Sequence, residues 1–271
     1  MDLLAEQFPF SKTALTGKHA LVFGASKGIG AATAKMMAMA GADVTLCARN
    51  KAALRQVVDE ISAFATGVIT MRSVDLEDLL SVEATVKELL DSRGPVHILV
   101  NNSGGPPGGP LLDNVIDDFA APFRRHLHAA HQITKLVVPV MEAEGYGRII
   151  QIISTSVKEP IPNLGLSNTL RGAMASWAKS LSRELPPCIT INNVLPGFTD
   201  TERLGSLAKS INEKTGKSID TIHEGWMGQV PIERLVDPLE TAAAITYLAL
   251  PIAGAIRGVS LAVDGGRLRG I

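Results

Sequence analysis

The feature that most restricts this chain is the run Gly24-Ala-Ser-Lys-Gly-Ile-Gly30, set directly after the apolar stretch 20–23 and before the Ala- and Met-rich stretch 31–40. A strand, a glycine turn and a buried helix in that order make the opening unit of a parallel α/β fold. Gly24 permits the tight turn, Gly28 lets backbone approach a pyrophosphate, and Gly30 allows close helix–strand packing. The free N–H groups and positive dipole end of the helix would face the phosphates. The pattern predicts a dinucleotide site.

The alternation then repeats. Strands are expected at 18–23, 43–48, 68–74, 96–100, 148–153, 189–195 and 258–263, with helices over 77–92, 117–142, 165–185 and 239–250 and another capped by Asn50. Continuous Val/Ile/Leu strands call for helices on both faces. The expected fold is α/β, a Rossmann-type doubly wound seven-stranded parallel sheet forming a single domain over 1–271, with an N-terminal extension at 1–16. Ligands of such sheets gather beyond the carboxyl ends of the strands. That rim collects 24–30, Arg49, Asp75, 101–105, 154–160 and 196–201. The connection 199–238 is long and holds short helical pieces, so it reads as a substrate lid.

Charge and composition exclude several partners. With 26 Lys and Arg against 27 Asp and Glu, net electrostatics favour neither nucleic acid nor an anionic membrane. No apolar run approaches the roughly 20 residues of a membrane span, and residues 1–7 lack the basic n-region of a signal peptide, so a cytoplasmic location is expected. Cys47 and Cys188 fall inside expected strands, where they read as buried inert thiols, and no Cys/His spacing predicts a metal.

The spacing G-x-x-x-G-x-G resembles that of the short-chain dehydrogenase/reductase family. The resemblance extends through Val74-Asp75-Leu76, Asn101-Asn-Ser-Gly104, Pro196-Gly197 and Val263-Asp-Gly-Gly266, covering roughly residues 14–268. It implies cofactor contacts from Gly24, Ser26, Lys27, Gly28, Ile29 and Gly30. It adds Asp75 and Leu76 at the adenine, Asn102, Ser103 and Gly104 along the cofactor, and Pro196, Gly197, Thr199 and Thr201 at the nicotinamide amide. Where the family places a carboxylate for the ribose hydroxyl of NAD, this chain has Ala48 followed by Arg49. Two cations, Arg49 and Lys27, and no carboxylate favour the 2′-phosphate of NADP(H).

The family reaction uses a serine, a tyrosine and, four residues after the tyrosine, a lysine. Ser154 matches the serine, but Ser167 stands at the tyrosine position and Arg171 at the lysine position. An asparagine of the preceding helix aligns with His126. Only two tyrosines exist: Tyr146 lies at the opposite end of the sheet, and Tyr247 is expected in the core. Serine is far too weak an acid to replace a phenol of pKa about 10. Arg171 stays protonated but can anchor ribose hydroxyls and stabilise negative charge. Lys158 and His126 are candidate proton donors, with loop solvation of Lys158 and a structural role for His126 as their alternatives.

Two accounts follow. One is an NADP(H)-dependent oxidoreductase acting on a small carbonyl, alcohol or imine with a non-standard proton donor, similar to the 3-oxoacyl-carrier-protein reductase-like group. The other is a non-catalytic NADP(H)-binding regulator or silent subunit. A homodimer or homotetramer through the helices at 117–142 and 165–185 is expected.

Overall fold

The computed structural model describes residues 11–270. Most of the expected N-terminal extension therefore lies outside the described residues. Its last part is a turn that buries Leu15 completely and hydrogen-bonds the Leu15 N–H to the Ala40 carbonyl at 2.8 Å.

Seven strands build one sheet: β1 His19–Phe23, β2 Asp43–Ala48, β3 Ile69–Ser73, β4 Ile98–Asn101, β5 Gly147–Ile152, β6 Ile189–Pro196 and β7 Ser260–Val263. Their order is β3-β2-β1-β4-β5-β6-β7, and every neighbouring pair is parallel. Parallel neighbours need crossovers, which are the helices α1 Gly28–Met39, α2 Lys51–Ser62, α3 Leu79–Arg93, α4 Ala129–Ala143 and α5 Gly165–Glu184, with α6 Glu202–Thr215, α7 Ile219–Met227 and α8 Pro238–Ala249 between β6 and β7. The order reverses between β1 and β4, and that switch point opens a crevice at the carboxyl rim.

Side chains on the strands alternate between two cores. Ala20 and Val22 of β1 join Ala34 and Met37 of α1 and Leu54 of α2 on one face. Leu21 and Phe23 join Val82 and Val86 of α3 and Ile133 and Val137 of α4 on the other. Each fully buried Leu, Ile or Val contributes about 1.5–3 kcal/mol, so both faces are held firmly and the rim loops are carried on a rigid base. Asn50 caps α2 by accepting from the Ala53 N–H.

Three details differ from the sequence reading. The expected continuous helix over 117–142 is broken. A 3-10 turn (Ile116–Phe119), a short α-turn (Ala120–Phe123) and a π-turn (Arg124–His128) precede α4. Pro122, which lacks an N–H donor, lies in the short α-turn, and the regular helix begins only at Ala129 and accommodates Pro139 inside it. Cys188 lies in the turn before β6, half-buried, whereas Cys47 is buried in β2 with its thiol pushed up to about 12 by burial. Tyr247 is 39% exposed on the outside of α8 (Pro238–Ala249) rather than packed in the core. Tyr146 is buried and its hydroxyl donates to the Ala249 carbonyl. No described helix is long and apolar enough to cross a membrane.

Candidate active site

At the β1–α1 turn, Gly24 and Gly28 adopt φ of +62° and +55°, values that side-chain-bearing residues rarely tolerate. Gly30 has no such backbone requirement, but a Cβ there would sit 2.2 Å from the Gly24 carbonyl oxygen. Asn102 braces the turn from behind by donating Nδ2 to that oxygen at 3.3 Å. The start of α1 has no capping side chain and no acidic residue in its first turn. Its N–H groups and positive dipole end are therefore available to an anion. A diphosphate fits this cradle.

The turn opens into a cleft of about 1820 Å³ along the rim. That exceeds the 300–1,000 Å³ typical of one small-molecule site and leaves room for a dinucleotide and a second molecule. The sequence-predicted residues lining it are Gly24, Ser26, Lys27, Gly28, Ile29, Arg49, Asp75, Leu76, Asn102, Ser103, Gly104, Ser154, Ser167, Arg171, Pro196, Gly197, Thr199 and Thr201. Gly30 lies behind them. Lys158 is exposed and is not part of the lining, and His126 sits beneath the cleft floor.

The far end of the rim carries the charges that would read an adenosine ribose. Arg49 reaches to 3.8 Å from Asp75, an exposed pair worth less than about 1 kcal/mol. Asp75 also accepts from the Glu77 N–H. Lys27 bonds Glu202 at 2.7 Å, and both are largely exposed. These weak pairings leave either cation free to exchange onto a phosphate.

Glu202 opens α6 (Glu202–Thr215), which with α7 (Ile219–Met227) roofs part of the cleft. Phe198, Ala208, Ile222, Trp226 and Val230 give this region a small core of its own. Thr201 caps α6 by accepting from the Leu204 N–H, and its Cγ2 lies 3.2 Å from where a Gly28 Cβ would stand. The base of the roof is thus seated on the glycine turn.

At the other end of the rim, β5 and α5 bring Ser154, Ser167 and Arg171 to the cleft. Ser154 accepts from the Ser156 N–H at 3.1 Å, which fixes its rotamer and leaves its own proton for a ligand. Ser167 and Arg171 share one face of α5, a turn apart. Arg171 is only 7% exposed, and Nη1 donates to the Ile152 carbonyl at 3.1 Å. Burial, and then the charge of Arg203, push its pKa down to about 10.

Below lies a cavity of about 10 Å³, room for roughly one water, walled by Asn101, Ser103, His126, Arg171 and Met174. His126 donates Nε2–H to the Gly104 carbonyl at 3.0 Å, and Ser103 Oγ lies 3.1 Å from Nε2 and 3.2 Å from Nδ1, the nitrogen left to accept its proton. Burial, then the nearby Arg171 charge, hold the His126 pKa well below 6.5, so its ring is neutral and props the Gly104 loop. His128 and His131 are exposed, and His131 accepts from Trp177 Nε1 on the outer face of α4. Among the described residues no cluster of metal ligands exists.

Sequence reasoning missed Arg203 and Arg267. Arg203 lies in the first turn of α6, against the positive end of the helix dipole, an unfavourable place that is itself a signal. Arg267 is buried, donates to Thr155 Oγ1 at 3.1 Å and stacks on Phe198.

The sheet order and the rim cleft define a nucleotide-binding doubly wound α/β protein. Residues 18–212 match the short chain dehydrogenase family, and the chain belongs to that family. It is 32% identical to the 3-oxoacyl-acyl-carrier-protein reductase FabG of Vibrio harveyi, over 93% of this chain and 98% of that one. L-sorbose reductase of Gluconobacter frateurii, solved with NADPH and L-sorbose, superposes with a TM-score of 0.90 at 27% identity, covering 96% of this chain and 100% of that one. A variant of the actinorhodin polyketide ketoreductase, solved with NADPH, gives 0.87 at 30% identity over 93% and 98%.

Proposed function

We propose that this chain is an NADP(H)-dependent oxidoreductase that interconverts a small carbonyl (or imine) and the corresponding alcohol (or amine) without a catalytic tyrosine. The observation that carries the reading is one continuous cleft joining the uncapped glycine turn to Ser154, Ser167 and Arg171. The similar structures bound to NADPH, and the fit of the glycine turn to a diphosphate, support NADP(H) as the cofactor. Gly24, Gly28 and the start of α1 take the diphosphate, and Lys27 and Arg49 take the 2′-phosphate. Thr199 and Thr201 border the nicotinamide end. Bound there, the cofactor supplies a hydride.

Ser154 and Ser167 hydrogen-bond the carbonyl oxygen, so the carbonyl carbon is held to receive that hydride. The C=O π electrons move onto oxygen, and Arg171 stabilises the negative charge developing there. The new alkoxide takes its proton from water in the cleft, the reading that suits an exposed Lys158 and a neutral His126. Arg171 fills the place of the family lysine and Ser167 that of its tyrosine. The reading includes one domain over the chain, a lid at 199–238, a cytoplasmic location and a homodimer or homotetramer.

The test is NADPH consumption at saturating cofactor against ketones, aldehydes, β-keto thioesters and cyclic imines. Turnover on at least one class is expected, reduced about a hundredfold in Ser154→Ala or Arg171→Met, the usual cost of removing one oxyanion donor. Loss of turnover in Lys158→Ala would move the proton donor to that lysine. Tight NADPH binding with no turnover across the panel would make this a non-catalytic binding protein.

A further inference from the structure

Two arginines meet in the cleft with nothing to neutralise them. A methyl group built on Gly105 would lie 3.6 Å from Arg203 Nη2 and 3.7 Å from Arg171 Nη2, so the two guanidinium groups converge on one point. Both line the cleft. Arg171 spends a single hydrogen bond on protein, to the Ile152 carbonyl, and Arg203 spends one, from Nη2 to the Pro106 carbonyl at 2.7 Å. Each guanidinium carries five N–H donors, so most remain for a ligand.

Of the five acids along the cleft, Glu60 pairs with Lys35, Asp75 with Arg49 and Glu202 with Lys27, Asp237 caps α8, and Asp200 is exposed and forms no ion pair with either arginine. Among the described residues no carboxylate pairs with Arg171 or Arg203. Burying the unpaired Arg171 cation is costly, and the Arg203 charge adds repulsion that lowers the Arg171 pKa further, while the more exposed Arg203 is lowered by desolvation alone. An arrangement this unfavourable in the free protein calls for an anion.

The cofactor of the proposed function does not supply it. Its negative groups are the diphosphate, assigned to the glycine turn after β1, and the 2′-phosphate, assigned to Arg49 after β2. The arginine pair stands instead at the β4–β5 side, beside Ser154 and Ser167, where the reacting carbonyl is held.

We infer that the substrate is an oxo acid, whose carboxylate is clamped by Arg203 and Arg171 and whose carbonyl, one or two carbons away, faces Ser154 and Ser167. Planar guanidinium forks match a carboxylate in geometry and charge. Arg203 belongs to α6, so binding the carboxylate also draws the roof onto the substrate.

The inference rests on the proposed function for the carbonyl but not for the anion, and calorimetry separates the two. The probes are 2-oxobutanoate and acetoacetate, each beside its methyl ester, titrated into the full chain with and without NADPH. An acid is expected to bind at least tenfold more tightly than its ester. That preference should vanish in Arg203→Leu and return in part in Arg203→Lys, with NADPH affinity unaltered. Acid preference without NADPH binding would uphold the anion site while defeating the oxidoreductase reading. Equal affinity for acid and ester would overturn the inference. So would loss of NADPH affinity in Arg203→Leu, which would give the anion to the cofactor, or competition by inorganic phosphate at concentrations as low as the acid's.

Discussion

Gly30→Ala sets two effects of known size against each other. Gly30 lies in the first turn of α1, and its φ is not in the left-handed region, so intrinsic helix propensity favours alanine by up to about 1 kcal/mol. Against that, the new Cβ would sit 2.2 Å from the Gly24 carbonyl oxygen, 2.7 Å from its carbon and 2.8 Å from Asn102 Nδ2. Two of those three atoms are backbone of a turn pinned by Asn102 and cannot rotate away. Overpacking costs about 1–3 kcal/mol, and rigid neighbours put this case at the upper end. The clash wins, leaving a net loss of about 1–2 kcal/mol. At roughly 2–4 °C per kcal/mol for a chain near this size, Tm falls by about 2–8 °C. Because the strain is relieved by moving α1 off the turn, NADPH binding weakens as well. Gly205→Ala is the control: it is helical and exposed, and a Cβ there meets nothing within 4 Å, so propensity acts alone and Tm rises slightly. Scanning calorimetry of the parent and both variants, each with and without NADPH, makes the comparison. A Gly30→Ala protein as stable as its parent, with unaltered NADPH affinity, would refute the close-packing argument.

Other outcomes follow from the site and the core. Lys27→Ala and Arg49→Ala should each weaken NADPH about tenfold and leave NADH nearly unchanged, measured as the ratio of the two Kd values; equal weakening of both cofactors would remove these cations from 2′-phosphate recognition. Burial lowers the pKa of His19 to about 4, and burial also lowers His97 and His126. The unfolded chain takes up protons below pH 6.5 that the fold excludes, so stability is full above 6.5 and falls as pH drops toward 4. For His19 the loss by pH 4.5 is about 2–3 kcal/mol, read as a lower urea midpoint, and stability that stays flat between pH 6.5 and 4.5 would contradict it. Ser154→Ala should lower kcat far more than it raises KM, and a pure KM effect would reduce Ser154 to a ground-state contact.

What the residues disclosed in advance is what local chemistry carries. Each strand is a short apolar run between breakers, and the glycine turn states its own backbone requirement, so the sheet, its rim and the geometry of the turn were legible. The break in the 117–142 helix was not: the π-turn that brings His126 under Gly104 has no pattern of its own in an apolar periodic stretch. Tyr247 was misread because an aromatic in a helix of buried residues looks like core, and only the packing of α8 on the sheet decides which face is covered. Arg203 escaped notice for a related reason. Its meaning lies in its approach to Arg171 and Gly105, residues from separate loops and helices that share no sequence pattern.

The central claim is that this cleft transfers a hydride without a tyrosine. The most direct measurement incubates the protein with NADPH carrying deuterium at the transferable C4 position and the carbonyl panel, oxo acids included, and examines products by mass spectrometry. The account predicts an alcohol product carrying one deuterium on the former carbonyl carbon, formed in step with NADPH loss and suppressed in Arg171→Met. NADPH bound tightly at the cleft with no label in any product would contradict it.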